Sequence, residues 1–159
     1  MKPVLVTIIL LFTFTASRSQ LSRDTVLNRC PVYITDTVSS NNFFLEARPA
    51  TLKVYRVRGD LTIVVEQKDQ FFSLFFHDKK LRNTTYDIEP GSRSRGEVEV
   101  AYSFKSGDQV ALINVSDGKI ESSFDKEKKM WKLKVSGLIS NMADRTVSYY
   151  KAKAELWVK

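Results

Sequence analysis

Any chemistry in this chain has to be built from very few reactive groups. His77 is the single histidine and Cys30 the single cysteine. Nucleophilic catalysis needs nucleophile and base within hydrogen-bond reach, with a third group to orient the base. His77 closes the run Phe71 to Phe76, and Cys30 is remote from it in sequence. A structural zinc site takes about four nitrogen or sulfur ligands, more than these two residues supply. Carboxylates remain. Glycoside hydrolysis needs two of them flanking the bond, and Glu97 and Glu99 fall on one face of an alternating run. Asp117, Asp125 and Glu127 fall in turns, where aspartate is ordinary turn chemistry. Asp108, Asp117 and Asp125 lack the spacing of a calcium loop. The expectation is a non-enzymatic protein with no catalytic residue, metal or cofactor.

Lysines carry the positive signal. Lys132 and Lys134 alternate with Trp131, Leu133 and Val135, while Lys151 and Lys153 alternate with Tyr150, Ala152 and Ala154. Alternation puts one set of side chains on the dry face of a strand and the other on the wet face. If the two strands pair, four ammonium groups share one surface, with Lys128 and Lys129 in the adjoining turn. Such a face attracts anionic partners at long range. The expected partner is an acidic polysaccharide, an anionic surface or an unidentified protein. Lysines also keep exposed strands from pairing with other chains, a role that needs no partner. Nucleic acid is not expected, because no nucleic-acid-binding motif is present.

Three further motifs bear on function. Cys30 cannot form an intrachain disulfide. It is either a buried thiol or a link between two copies of the chain, which would make a homodimer. Asn83-Thr84-Thr85 and Asn114-Val115-Ser116 match the N-glycosylation pattern. Asn83, in a loop, is the better acceptor. Arg58-Gly59-Asp60 is the tripeptide read by many integrins, yet Gly-Asp is also plain turn chemistry. These motifs support a second reading, a structural or adhesion subunit assembling through Cys30 or an exposed sheet edge.

The elements that position these residues read as strands. Gln109 to Gly137 contains an apolar run, Asp117-Gly118, an alternating run, a charged turn from Asp125 to Lys129, and a second alternating run. Asp-Gly between such runs is a strong hairpin signal, so the stretch is expected to be a three-stranded antiparallel meander. Val110 to Ile113 is apolar throughout, as expected of a central strand covered on both faces. Upstream, Thr51 to Val57 and Leu61 to Glu66 flank a tight turn at Arg58-Gly59-Asp60. Phe71 to Phe76 reads as a central strand. Glu97 to Phe104 alternates, with Val98, Val100, Tyr102 and Phe104 inward. Val147 to Val158 is the last strand. Residues 81 to 96 read as a loop and Leu138 to Arg145 as a connector. Short strands at close spacing predict an all-β antiparallel sandwich, or a barrel-like variant, of about eight strands.

The chain of 159 residues divides on this reading into three parts. Residues 1–19 form a cleaved signal peptide, with Lys2, an apolar run from Val4 to Ala16, and Ser17 and Ser19 before the cut. Residues 20–42 form an N-terminal arm, with Val32 to Ile34 a candidate short strand. Residues 43–159 form the sandwich. The apolar run falls short of the about 20 residues a membrane helix needs. An exported protein, extracellular or periplasmic, is expected. The whole chain carries a formal charge of +7.

Overall fold

The computed structural model describes residues 23–42, 44, 48–143 and 146–159. The predicted leader and the start of the arm lie outside them. The described residues form eleven strands, β1 (Arg23–Leu27), β2 (Val32–Asp36), β3 (Ala50–Val57), β4 (Asp60–Gln67), β5 (Gln70–Phe76), β6 (Thr84–Ile88), β7 (Glu97–Ser106), β8 (Gln109–Asn114), β9 (Asp117–Asp125), β10 (Met130–Ala143) and β11 (Thr146–Val158). All belong to one sheet, ordered β1-β3-β4-β5-β7-β6-β9-β10-β11-β2, with β8 attached to β7. Every ladder is antiparallel except the two-residue pairing of β6 with β7. No described helix is long and apolar enough to cross a membrane.

The expected eight strands become eleven for local reasons. The arm docks as two strands: β1 pairs with β3 and β2 with β11, at opposite ends of the sheet order. Thr84–Ile88 of the expected loop bridges β7 and β9. The expected connector prolongs β10 to Ala143, where it still pairs with β11. Two-residue turns close β3–β4 at Arg58-Gly59 and β4–β5 at Lys68-Asp69. Arg58 and Gly59 both have positive φ, 53° and 96°, as a primed hairpin turn demands. In the β9–β10 turn, Asp125 Oδ1 accepts from the backbone N–H of Glu127 and of Lys128, each at 2.9 Å.

The meander is corrected in one respect. β9 and β10 form the expected hairpin, but β8 pairs with β7 and β9 with β6. Asp117-Gly118 is therefore no turn. Gly118 lies opposite Gly137 of β10 with φ +147°, and a Cβ there would stand 2.5 Å from Gly137 Cα. The glycine serves close backbone approach. β8 is also not a covered central strand, since Val110 and Leu112 are 71% and 67% exposed. An apolar run reads the same whether one or both faces are covered.

The sheet bends until its two ends come close. Leu27 at the end of β1 is followed five residues later by Val32 at the start of β2, a reach of at most about 18 Å. Buried side chains from both halves form one core. Phe72, Leu74 and Phe76 of β5 and Val98 and Val100 of β7 point into it with Ile120 of β9, Leu133 of β10 and Leu156 of β11. Phe76 meets Tyr86 of β6 edge to face at 5.1 Å.

At one end the halves part. The backbone N–H of Val115 donates to Val100 O of β7 and that of Ser116 to Leu138 O of β10, both at 2.8 Å. Beyond that bridge β8 pairs with β7 alone and β10 with β11 alone among the described residues. A cavity of about 580 Å³ opens there, walled by Ile34, Ile139 and Tyr150 on one side and by Tyr102, Phe104 and Ile113 on the other.

Candidate functional site

The outward face of β9, β10, β11 and β2 carries the lysines. Register sets them in rows across the strands. Glu121, Lys134 and Glu155 form one row. Lys119, Ser136, Lys153 and Tyr33 form the next. Asp117, Leu138, Lys151 and Thr35 form a third. Strands lie about 4.8 Å apart, so Lys119 and Lys153 flank the small Ser136 at about twice that spacing. Ser136 sits low between longer side chains. A shallow depression of about 440 Å³ results, lined by Lys119, Lys134, Ser136, Lys153, Tyr33 and the two glutamates.

The expected pairing of the lysine strands is thus present, and Lys134, Lys151 and Lys153 are exposed. The expected members differ in their contacts. Lys132 Nζ is 2.8 Å from Glu155 Oε1. Lys128 Nζ stands 3.8 Å from the centre of the Trp157 ring, and Lys132 Nζ 5.2 Å from it. Lys129 occupies the left-handed position of the turn, φ 52°. The Lys132 hydrogen bond, with the charges of Lys132, Lys134 and Lys128, holds the Glu155 carboxyl below its ordinary range. A carboxylate so held reports a cationic surrounding. Sequence reasoning misses Lys119 because it directly follows Asp117-Gly118 and so reads as part of that turn. The alternation of Lys119, Glu121 and Ser123 with Ile120 and Ser122 was the signal that finds it.

The other singled-out residues lie elsewhere. Cys30 is 1% exposed in the link between β1 and β2. Burial raises its pKa, partly offset by a backbone hydrogen bond at Val32. A disulfide to a second copy would require that link to open. Asn83 is exposed, and its Oδ1 accepts from the Phe124 N–H at 2.6 Å; Asn114 is exposed at the end of β8. Asp60, last of the integrin-like tripeptide, lies 3.6 Å from His77 Nδ1, and Glu99 Oε1 lies 3.1 Å from His77 Nε2. His77 therefore has carboxylate neighbours on both sides, which sequence reasoning did not supply. They tie the start of β4, the end of β5 and β7 together on the sheet's outer surface. Glu97 accepts from the Ser92 hydroxyl. No group of three or more histidine, cysteine or acidic residues suited to a metal occurs among the described residues.

No protein-family model, curated protein or solved structure matches this chain.

Proposed function

We propose that this protein is an exported, non-enzymatic binding module that docks an acidic polysaccharide on the outer face of β9, β10, β11 and β2. On this reading the bent sheet is a barrel-like sandwich acting as a rigid scaffold. The observation that carries the proposal is the row Lys119–Ser136–Lys153–Tyr33, with Lys134 and Lys151 in the rows beside it. Ammonium groups spaced around a small hydroxyl suit the carboxylate or sulfate of a sugar acid. Tyr33 on the same face offers a ring to the sugars. Glu121 and Glu155 divide the lysines, favouring anions that recur at intervals over a uniform sheet of charge. The reading of the chain as a subunit linked through Cys30 is weakened by the burial of that thiol.

Retention on immobilised dextran sulfate tests the proposal. Changing Lys119, Lys134, Lys151 and Lys153 to Gln should lower the eluting salt concentration well below that of the wild type. A control with Lys79, Lys80, Arg93 and Arg95 changed to Gln loses the same formal charge and should elute near the wild type. Co-elution of the two variants would sink the proposal, since net charge alone would then govern retention. Binding to phosphatidylglycerol vesicles without retention on the polysaccharide would also reject it.

A further inference from the structure

The cavity at the open end is unrelated to the basic face and has its own chemistry. Its walls are largely apolar, and Phe104, Ile113 and Tyr150 among them are only partly buried, whereas Phe72 and Leu74 in the core are 0% exposed. Protein interiors are close-packed, so this volume of about 580 Å³ is space that no side chain of the described residues fills. It falls within the about 300–1,000 Å³ usual for small-molecule sites. Phe44, 1% exposed, packs against Tyr102 at 5.7 Å and stiffens that wall.

The rim is cationic. Lys68 and Asp69 form the β4–β5 turn, and Lys105 stands at the end of β7; all three line the opening. The Lys105 backbone N–H donates to Asp69 O at 2.8 Å, which fixes the turn against β7 and sets both lysines at one edge. Lys68 holds φ 53°, a turn conformation that fixes its direction of departure. On the inner side the Tyr102 hydroxyl donates to Gln70 Oε1 at 2.9 Å, so these two polar lining groups pair with each other. Two ammonium groups against one carboxylate leave the rim positive.

From this geometry we infer that the cavity binds the chain of a fatty acid, with the acid's carboxylate held at the rim by Lys68 and Lys105. The apolar walls take the alkyl chain, whose burial supplies most of the affinity. The lysines supply preference for an anionic head through charge-assisted hydrogen bonds.

Calorimetric titration of the full chain with laurate, dodecanol and dodecyltrimethylammonium, each below its micellar concentration, tests the inference. Laurate should bind one per chain and at least about tenfold more tightly than dodecanol, the factor supplied by one such contact. The cationic amphiphile should bind more weakly than dodecanol. Lys68→Gln with Lys105→Gln should abolish the preference for laurate and leave dodecanol affinity unchanged. Ile113→Trp should narrow the cavity and weaken binding of both. Failure of the wild type to bind laurate, equal binding of the cationic amphiphile, a ratio above one per chain, or a preference that survives the double lysine change would each overturn the inference. The lysine variant alters exposed side chains only, so its result stands even where Ile113→Trp does not fold.

Discussion

Gly118 and Gly137 face each other across β9 and β10, and the backbones approach too closely for a side chain at either. A Cβ on Gly118 would meet the Ser136 carbonyl oxygen and Gly137 Cα, and one on Gly137 would meet Val115 Cγ1. Val115 is 0% exposed and cannot give way without opening the bridge between β7 and β10. Gly118→Ala combines a backbone clash with φ +147°, and should cost more than about 3 kcal/mol. Gly107→Ala is the matched control. Gly107 also has positive φ, +59°, but nothing lies within 4 Å of its would-be Cβ, so its cost should be about 1 kcal/mol. Urea denaturation of both variants measures the difference, and equal losses would show that conformation, not crowding, sets the cost. Asp117-Gly118 also marks a limit of the sequence. A glycine needed for a turn and one needed for backbone contact look identical until the facing strand is known. Lys119 was lost to the candidate face by the same confusion, because a residue placed in a turn has no face. Lys132, Lys134, Lys151 and Lys153 were found because their neighbours alternate cleanly.

At the level of elements, burial separates the sheet into strands of unequal stability. β4 and β5 each pair on both sides, and Leu61 to Val65 are buried without a break. Among the described residues β8 has a single partner, and it exposes Val110 and Leu112. Local opening follows burial and pairing, so backbone amides of β8 should exchange with solvent well before those of β5. The energetic counterpart is a pair of substitutions. Leu74→Ala, at 0% exposure, should cost about 2–5 kcal/mol, whereas Leu112→Thr should change stability by no more than about 0.5 kcal/mol. Equal protection of β8 and β5 in hydrogen exchange would contradict this ranking. The ranking was only half legible beforehand. Phe71 to Phe76 and Val110 to Ile113 are both apolar runs, and both read as covered strands. What distinguishes them is the partner on each edge, which depends on contacts far apart in sequence. β6 was invisible for a related reason: five residues with two buried positions form a strand only because β7 and β9 leave a gap for them.

For the molecule as a whole, the decisive feature is how the two ends of the sheet are held together. Residues 28–31 connect β1 to β2, the Pro31 carbonyl oxygen accepts from the Glu155 N–H at 3.2 Å, and Cys30, within that link, is buried in the core. The link is thus held by a backbone hydrogen bond and a buried side chain, without a ladder between β1 and β2 among the described residues. Cys30 becomes a reporter of whether that link stays packed. A disulfide reagent attacks the thiolate, and burial disfavours that form by raising the thiol's pKa. Reaction therefore requires the link to lift and water to reach the sulfur. In the native protein at neutral pH, Cys30 should react at least about a hundredfold more slowly than in urea, the factor given by an opening that costs about 2.8 kcal/mol. The gain in reactivity with urea should coincide with the change in fluorescence of Trp131 and Trp157, which lie on β10 and β11. Non-reducing electrophoresis of native protein should show monomer. Rapid native labelling, or a disulfide-linked dimer formed without denaturant, would mean that the β1–β2 link opens freely. The sheet would then be an open structure whose exposed ends are available to a second copy.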